Sequence, residues 1–386
     1  MKKVIIFFCS CCFYQISIGQ TPGSINSEVK IKELAVPKAP ALKLLDISPT
    51  QIETPNNPKE FALGIVQSFN DSVGWPRNYS MEFAPYWWLK PSNRSVYNFL
   101  GLKTTSDASG VKKITGEDPF SGLKFTSISL AFINQDLIPD TVKQSQKIFS
   151  IGIQSTIIKI HSKHYQKALG SKLKEWHDAA QKELEVALAN QPADSPQVVF
   201  EAYWQKFTDM KPTTTGKIFD DINDIMNEKP LFSLNIAAAY ANYGINNSAW
   251  KTGRTGIWTT LSSYLPLKLS DDDVNRNYFS FFGYFRFLQD NYAPANNKQI
   301  VKSSSTDIGG KLELQFNKLS LGYEIIYRKY SKRGITSDNR NVGVINYQLG
   351  NNLYINGAFG KDFGITNKLI SFLGINWGFG DEKIKL

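Results

Sequence analysis

At 386 residues the chain holds one large domain or two ordinary ones, and its 42% apolar and 13% aromatic content suffices for a core or a lipid-facing belt. Its negative mean hydropathy excludes a helical membrane bundle, and past the leader no run of about 18 apolar residues exists, so any membrane crossing is by strands. A formal net charge of +10 raises nucleic acid as a partner, but the lysines are scattered without a basic stripe interleaved with aromatics, which excludes it.

Residues 1–20 carry Lys2 and Lys3, an apolar run over 4–18 and then Gly19-Gln20, the layout of a secretory signal peptide. Cys9, Cys11 and Cys12 are the only cysteines, so cleavage leaves neither a disulfide framework nor a thiolate metal site. For an exported chain, outer-membrane lipid, lipopolysaccharide or anionic solutes are the natural counter-charges.

Residues 21–60 read as a Pro-rich periplasmic arm, since Pro22, Pro37, Pro40, Pro49, Pro55 and Pro58 leave no room for a useful helix or strand. The patch Ala41-Leu42-Lys43-Leu44-Leu45 is either a docking segment, against the barrel or a partner, or one anchoring turn in a linker.

Strands are then expected at 61–69, 78–89, 122–134 and 147–160, the first four of a barrel region over 61–161, with 90–121 a long connection. Residues 162–229 break the pattern. Leu169, Leu173, Trp176, Ala180, Leu184 and Leu188 recur at three- and four-residue spacing, which predicts helix until Pro192 and Pro196 end it; further helices are expected at 197–210 and 218–226. Such a block cannot face lipid, so it is a soluble insert or a plug.

From 230 to 379 eight more strands are expected, at 231–243, 254–265, 278–289, 307–316, 318–330, 341–348, 353–359 and 368–379, before a tail at 380–386. Their period is two. Phe281, Gly283, Phe285 and Phe287 alternate with Ser280, Phe282, Tyr284 and Arg286, and Leu319, Leu321, Tyr323, Ile325 and Tyr327 with Ser320, Gly322, Glu324 and Arg328. One face is apolar and the other small or polar, aromatics gather at strand ends, and the turns at 317 and 349–352 are short while 291–306, 331–340 and 360–367 are longer. Those are the marks of a transmembrane, antiparallel, up-and-down β-barrel, all-β, of about twelve strands with a mainly helical insert between strands 4 and 5.

The arm, with Ala39-Pro40-Ala41, then Leu42, Leu44 and Leu45, then Pro49, Ile52, Pro55 and Pro58 before Phe61, resembles the N-terminal arm of an uncharacterised family of Gram-negative outer-membrane β-barrels. The last strand, with Leu369, Ser371, Leu373, Ile375, Trp377 and Phe379 on one face, is similar to their aromatic-ended insertion signal, although seven residues follow Phe379. The resemblance implies localisation in the bacterial outer membrane and supplies no activity.

Charges within such strands should face the lumen, because Arg or Lys at the lipid midplane costs about 2–4 kcal/mol. Strand parity therefore assigns Glu82, Asn235, Tyr284, Arg286, Lys311, Glu313, Glu324 and Arg328 to the lumen, with Gln315 beside them. They form either a charged constriction that selects solutes or cross-strand ion pairs that fill a narrow lumen. The histidines His161, His164 and His177 have only Glu175 and Asp178 near them in sequence, too few for a metal site, and no strand carries a nucleophile and base; neither catalysis nor a cofactor is expected. Two functions remain: a porin-like channel or solute transporter gated by the insert, or a membrane-anchored scaffold whose arm and insert, 162–229, bind a periplasmic or envelope protein.

Overall fold

In the computed structural model the described residues are 28–30, 40–46, 79–83, 85, 97, 100–106, 112–135, 146–189, 218, 221–222, 225, 228–244, 250–267, 277–294, 300–332, 335–350, 353–363, 369–377 and 383–385. The predicted signal peptide, the first strand at 61–69 and the insert helix at 197–210 lie outside them.

The elements in chain order are β1 (Glu28–Lys30), α1 (Pro40–Lys43), β2 (Tyr79–Phe83), β3 (Leu102–Ser106), β4 (Lys112–Glu117), a 3-10 turn (Ser121–Phe125), β5 (Ser127–Gln135), β6 (Gln146–Ile160), α2 (Lys163–Ala189), β7 (Phe232–Gly244), β8 (Trp250–Pro266), β9 (Tyr278–Pro294), β10 (Ile300–Phe316), β11 (Leu319–Tyr330), β12 (Asp338–Gly350), β13 (Leu353–Lys361), β14 (Leu369–Trp377) and β15 (Lys383–Lys385). The protein is mostly antiparallel β-sheet. Eleven strands form one meander in the order β14-β13-β12-β11-β10-β9-β8-β7-β6-β5-β2, while β3 pairs β4 and β1 pairs β15. Among the described residues no ladder joins β2 to β14, so this sheet has two edges.

Ten of the predicted strands have counterparts from β5 onward, but β9 runs on to Pro294 and β10 starts at Ile300, so most of the loop expected at 291–306 is strand. The departures are local. The strand expected at 78–89 is β2, Tyr79–Phe83, and the one expected from Gly122 starts at Ser127. Before it, residues 121–125 wind into a 3-10 turn whose Gly122 sits so close to β6 that a Cβ there would meet the Thr156 Cβ at 2.8 Å. The connection expected at 90–121 contains the β3–β4 hairpin, too short and too mixed in polarity to announce itself by alternation.

The two faces of the sheet are inverted relative to a water-soluble protein. Along β9 the buried residues are Tyr278, Ser280, Phe282, Tyr284, Arg286, Leu288, Asp290 and Ala293, and the exposed ones include Phe281, Phe285 and Phe287. Register continues the exposed apolar rows from strand to strand: Phe285 lies opposite Ile308, and Ile308 opposite Tyr327, while Phe281 lies opposite Leu312, and Leu312 opposite Tyr323. These side chains are exposed by 43–62%. Meanwhile Arg286, Asp307, Glu324 and Arg340 are fully buried.

Helix α2 starts where Ser162 Oγ accepts a hydrogen bond from the Tyr165 amide at 2.9 Å, an N-cap that satisfies one orphan donor. Its stripe of Tyr165, Leu169 and Leu173 packs with Leu100, Leu102, Ile218 and Ile222, flanked by Ile114 of β4. Residues 218, 221, 222 and 225 are helical, as the sequence predicts. The first insert helix is thus covered by the β3–β4 connection and by its own continuation, rather than by the polar face of the sheet.

Candidate functional site: an arginine cradle around residues 40–46

The element packed on the buried polar face is α1. Its Ala41, Leu44 and Leu45 join a cluster with Ala131, Ile148, Ala237, Ala239, Trp258 and Leu288. Two glycines make the room. A Cβ on Gly152 would meet Pro40 Cβ at 2.8 Å, and one on Gly256 would meet Leu44 Cδ1 at 2.8 Å. The Ala41 amide donates to Ser129 Oγ on β5 at 3.2 Å. Asp46, five residues on, is held by Arg328 of β11. In a flat sheet β5 and β11 would stand about 29 Å apart, six spacings of about 4.8 Å. One helical turn cannot bridge that distance, so the sheet curls around 40–46.

Asp46 closes the turn in the left-handed region, φ 59°, a conformation that Asp tolerates better than most residues. Its amide donates to the Lys43 carbonyl at 3.2 Å. Three arginines then converge on it. Arg286 Nη2 donates to Oδ1 at 2.8 Å, Arg254 Nη1 to Oδ2 at 2.9 Å, and Arg328 reaches Oδ1 at 3.2 Å and Oδ2 at 3.3 Å. Two of them also cap the end of α1, Arg286 donating to the Lys43 carbonyl at 2.9 Å and Arg254 to the Leu44 carbonyl at 3.0 Å. Burial opposes ionisation of Asp46, but Arg328, Arg286 and Arg254 outweigh it and hold the carboxyl well below the usual range.

Strand carboxylates complete the network. Asp307 on β10 takes Arg286 Nε at 2.8 Å and Arg328 Nε at 2.7 Å, and Asp290 on β9 pairs with Arg254. The Arg328 guanidinium lies 3.6 Å from the centroid of the Phe363 ring, a cation–π contact. Three arginines therefore face three carboxylates, and Asp46 is the one of these that no strand carries.

The residues assigned by parity fall as follows. Asn235, Tyr284, Arg286, Lys311, Glu313, Glu324 and Arg328 are all buried on this face. Glu82 stands opposite Ser129 in the β2–β5 ladder, and its side chain is outside the described residues. Arg286 and Arg328 enter the cradle, with Tyr284 5.7 Å from the Arg286 guanidinium. Lys311 pairs with Glu313 on its own strand at 2.8 Å, and Glu324 with Arg340 on β12 at 2.9 Å, Arg340 also pairing with Asp362. Asn235 accepts from Thr156 at 2.6 Å, away from the arginines. Arg254 and Asp307 were legible by the same parity rule and were missed, while Asp290 and Arg340 lie one residue beyond the strands expected at 278–289 and 341–348; Asp46 lies in an arm with no period, so no sequence signal marks it. Gln315, also predicted, is buried.

Several polar atoms buried on the same face have no hydrogen-bond partner among the described residues: Ser150 Oγ, Asn235 Nδ2, Thr260 Oγ1, Tyr264 Oη, Ser280 Oγ and Ser320 Oγ. Groups of this kind demand partners, so this face suits water or polar solutes better than an apolar core.

A second polar cluster sits at the start of the insert. His161 Nδ1 lies 2.5 Å from Glu117 Oε1, and Glu117 also takes the His161 amide at 3.0 Å and Gln166 Nε2 at 3.1 Å. Burial and the nearby Lys159 pull the His161 pKa down to about 4 against the opposing pull of Glu117. At neutral pH the ring is uncharged and donates to an ionised Glu117. Among the described residues no group of His, Cys, Asp or Glu is arranged to hold a metal ion, and no helix is long and apolar enough to cross a membrane. No family model, curated protein or solved structure matches this chain.

Proposed function

We propose that the protein is an exported outer-membrane β-barrel whose lumen is closed at rest by residues 40–46, and that it passes small polar solutes when this strap leaves. The observation that carries the reading is the inversion of the sheet, with charge buried and rows of Phe, Ile, Leu and Tyr outside, an arrangement stable where lipid covers the outer face. The eleven strands in one antiparallel meander support a barrel of about twelve. Resemblance of the arm and of the last strand to outer-membrane barrels points the same way. The arm, more than the helical insert, is the plug on this reading. In the competing reading the barrel is an anchor and the insert, which has its own apolar cluster, is the working part.

Single-channel recording in a planar bilayer separates the two. For Asp46→Lys, which sets a fourth cation among the arginines, frequent openings are expected where the wild-type protein stays mostly closed. A barrel silent in both forms rejects passage through the lumen and favours the anchor.

A further inference from the structure

Asp46 is a carboxylate delivered on a tether to a preassembled site. Its two oxygens receive four hydrogen bonds from three guanidinium groups, all planar donors suited to carboxylate geometry. The arginines are themselves fixed from behind, Arg286 and Arg328 by Asp307, Arg254 by Asp290, and Arg328 by the Phe363 ring. Each of the three guanidinium groups thus keeps a strand carboxylate of its own beside its bonds to the strap. Withdrawal of 40–46 takes away the acceptor of four hydrogen bonds from the three guanidinium groups, which keep their strand partners Asp307 and Asp290. A single carboxylate on an incoming solute can accept those bonds in place of Asp46.

We infer that Arg254, Arg286 and Arg328 form a binding site for a small monocarboxylate solute, and that Asp46 occupies this site at rest as an internal surrogate of that ligand. Solute and strap then compete for the same donors, so a carboxylate opens its own path by taking the place of Asp46. The inference rests on the reading that 40–46 is a displaceable plug.

The test uses the full-length protein in detergent micelles. After removal of the leader the chain has no cysteine, so a single Leu45→Cys reports on the strap: Leu45 is 4% exposed when docked and should react with a bulky maleimide only when the strap is out. Sodium acetate at about 0.1 M is expected to speed labelling about tenfold over sodium chloride of equal ionic strength, which controls for screening. Adding Arg328→Gln should raise basal labelling and abolish the acetate response. Because Leu45→Cys itself trims a docking contact, Ala41→Cys repeats the measurement from the other end of the strap. Calorimetry supplies an independent readout: Asp46→Asn should bind acetate, and Asp46→Asn with Arg328→Gln should not. Equal labelling in acetate and chloride, with no heat of acetate binding to Asp46→Asn, overturns the inference even if the protein conducts. Acetate binding and strap release in a protein that never conducts would keep the site and reject the channel.

Discussion

Two soluble-type segments lie beside the same sheet, and they are held by opposite means. The strap at 40–46 is one turn of helix fixed on the buried face by three arginines, two glycine-sized gaps and three buried apolar side chains. Helix α2 is 27 residues long and makes an apolar cluster with its own connections, with a buried His–Glu pair at its foot and the more exposed Lys172–Asp221 pair beside the cluster. A short segment buries too little area to stay put by hydrophobic contact alone, so charge supplies its hold. A long amphipathic helix needs no help from the sheet. The difference suggests which segment moves: ionic contacts can be exchanged for those of a competing anion, whereas a packed cluster has no such rival.

Substitutions in the two segments should have separate effects. The largest effect is expected for Asp307→Leu, which leaves Arg286 and Arg328 buried without their strand carboxylate. It should cost about 3–5 kcal/mol of the sheet's stability, read from urea unfolding in detergent, and leave the insert untouched. The mirror experiment is Leu169→Ala at the centre of the insert cluster. A loss of about 2–5 kcal/mol is expected there, seen as faster proteolysis of Lys163–Ala189, with labelling of the strap unchanged.

Acid separates the two regions further. The His161 pKa falls from 6.5 to about 4 on folding, so the unfolded insert binds the proton first. The associated stability is complete above about pH 6.5 and is lost as pH falls through the interval down to about 4, on the order of 3 kcal/mol in all. Asp46 behaves otherwise. Its docked pKa lies below that of a free carboxyl, so its contribution is intact above about pH 4 and is lost only as pH falls through the docked value. Hydrogen exchange between pH 7 and 5 should therefore loosen the insert while the strap stays protected. The smallest effect is expected for Gly256→Ala, whose methyl meets both Leu288 of β9 and Leu44 of the strap: docking should weaken by about 1–3 kcal/mol, with strand content unchanged in circular dichroism.

Much of the sheet was legible because period two repeats over long stretches. Residues 278–289 and 318–330 alternate without a break, and β9 and β11 follow them. Parity then placed seven of the eight nominated side chains on the buried face, because a charge within an apolar-faced strand has one tolerable side. Their partners were not legible. Lys311, Glu313, Glu324 and Arg328 suggested pairing among themselves across β10 and β11, yet Glu324 chose Arg340 and Arg328 chose Asp307 and Asp46, since side-chain reach along and across strands decides the match. The strap was half legible: Leu44 and Leu45 marked a docking patch, but nothing in a Pro-rich arm tells which face receives it. The β3–β4 hairpin escaped because strands of five and six residues with mixed polarity carry too little signal.

The claim on which the rest stands is that the face bearing Phe281, Phe285 and Phe287 meets lipid while the face bearing Ser280, Phe282 and Leu288 encloses a lumen. Each of these positions on β9 can carry a single cysteine with an environment-sensitive fluorophore, in protein reconstituted into vesicles that contain brominated lipid. Quenching is expected at 281, 285 and 287 and not at 280, 282 and 288. Equal quenching at both sets, or none at either, would contradict the barrel and with it the plugged lumen.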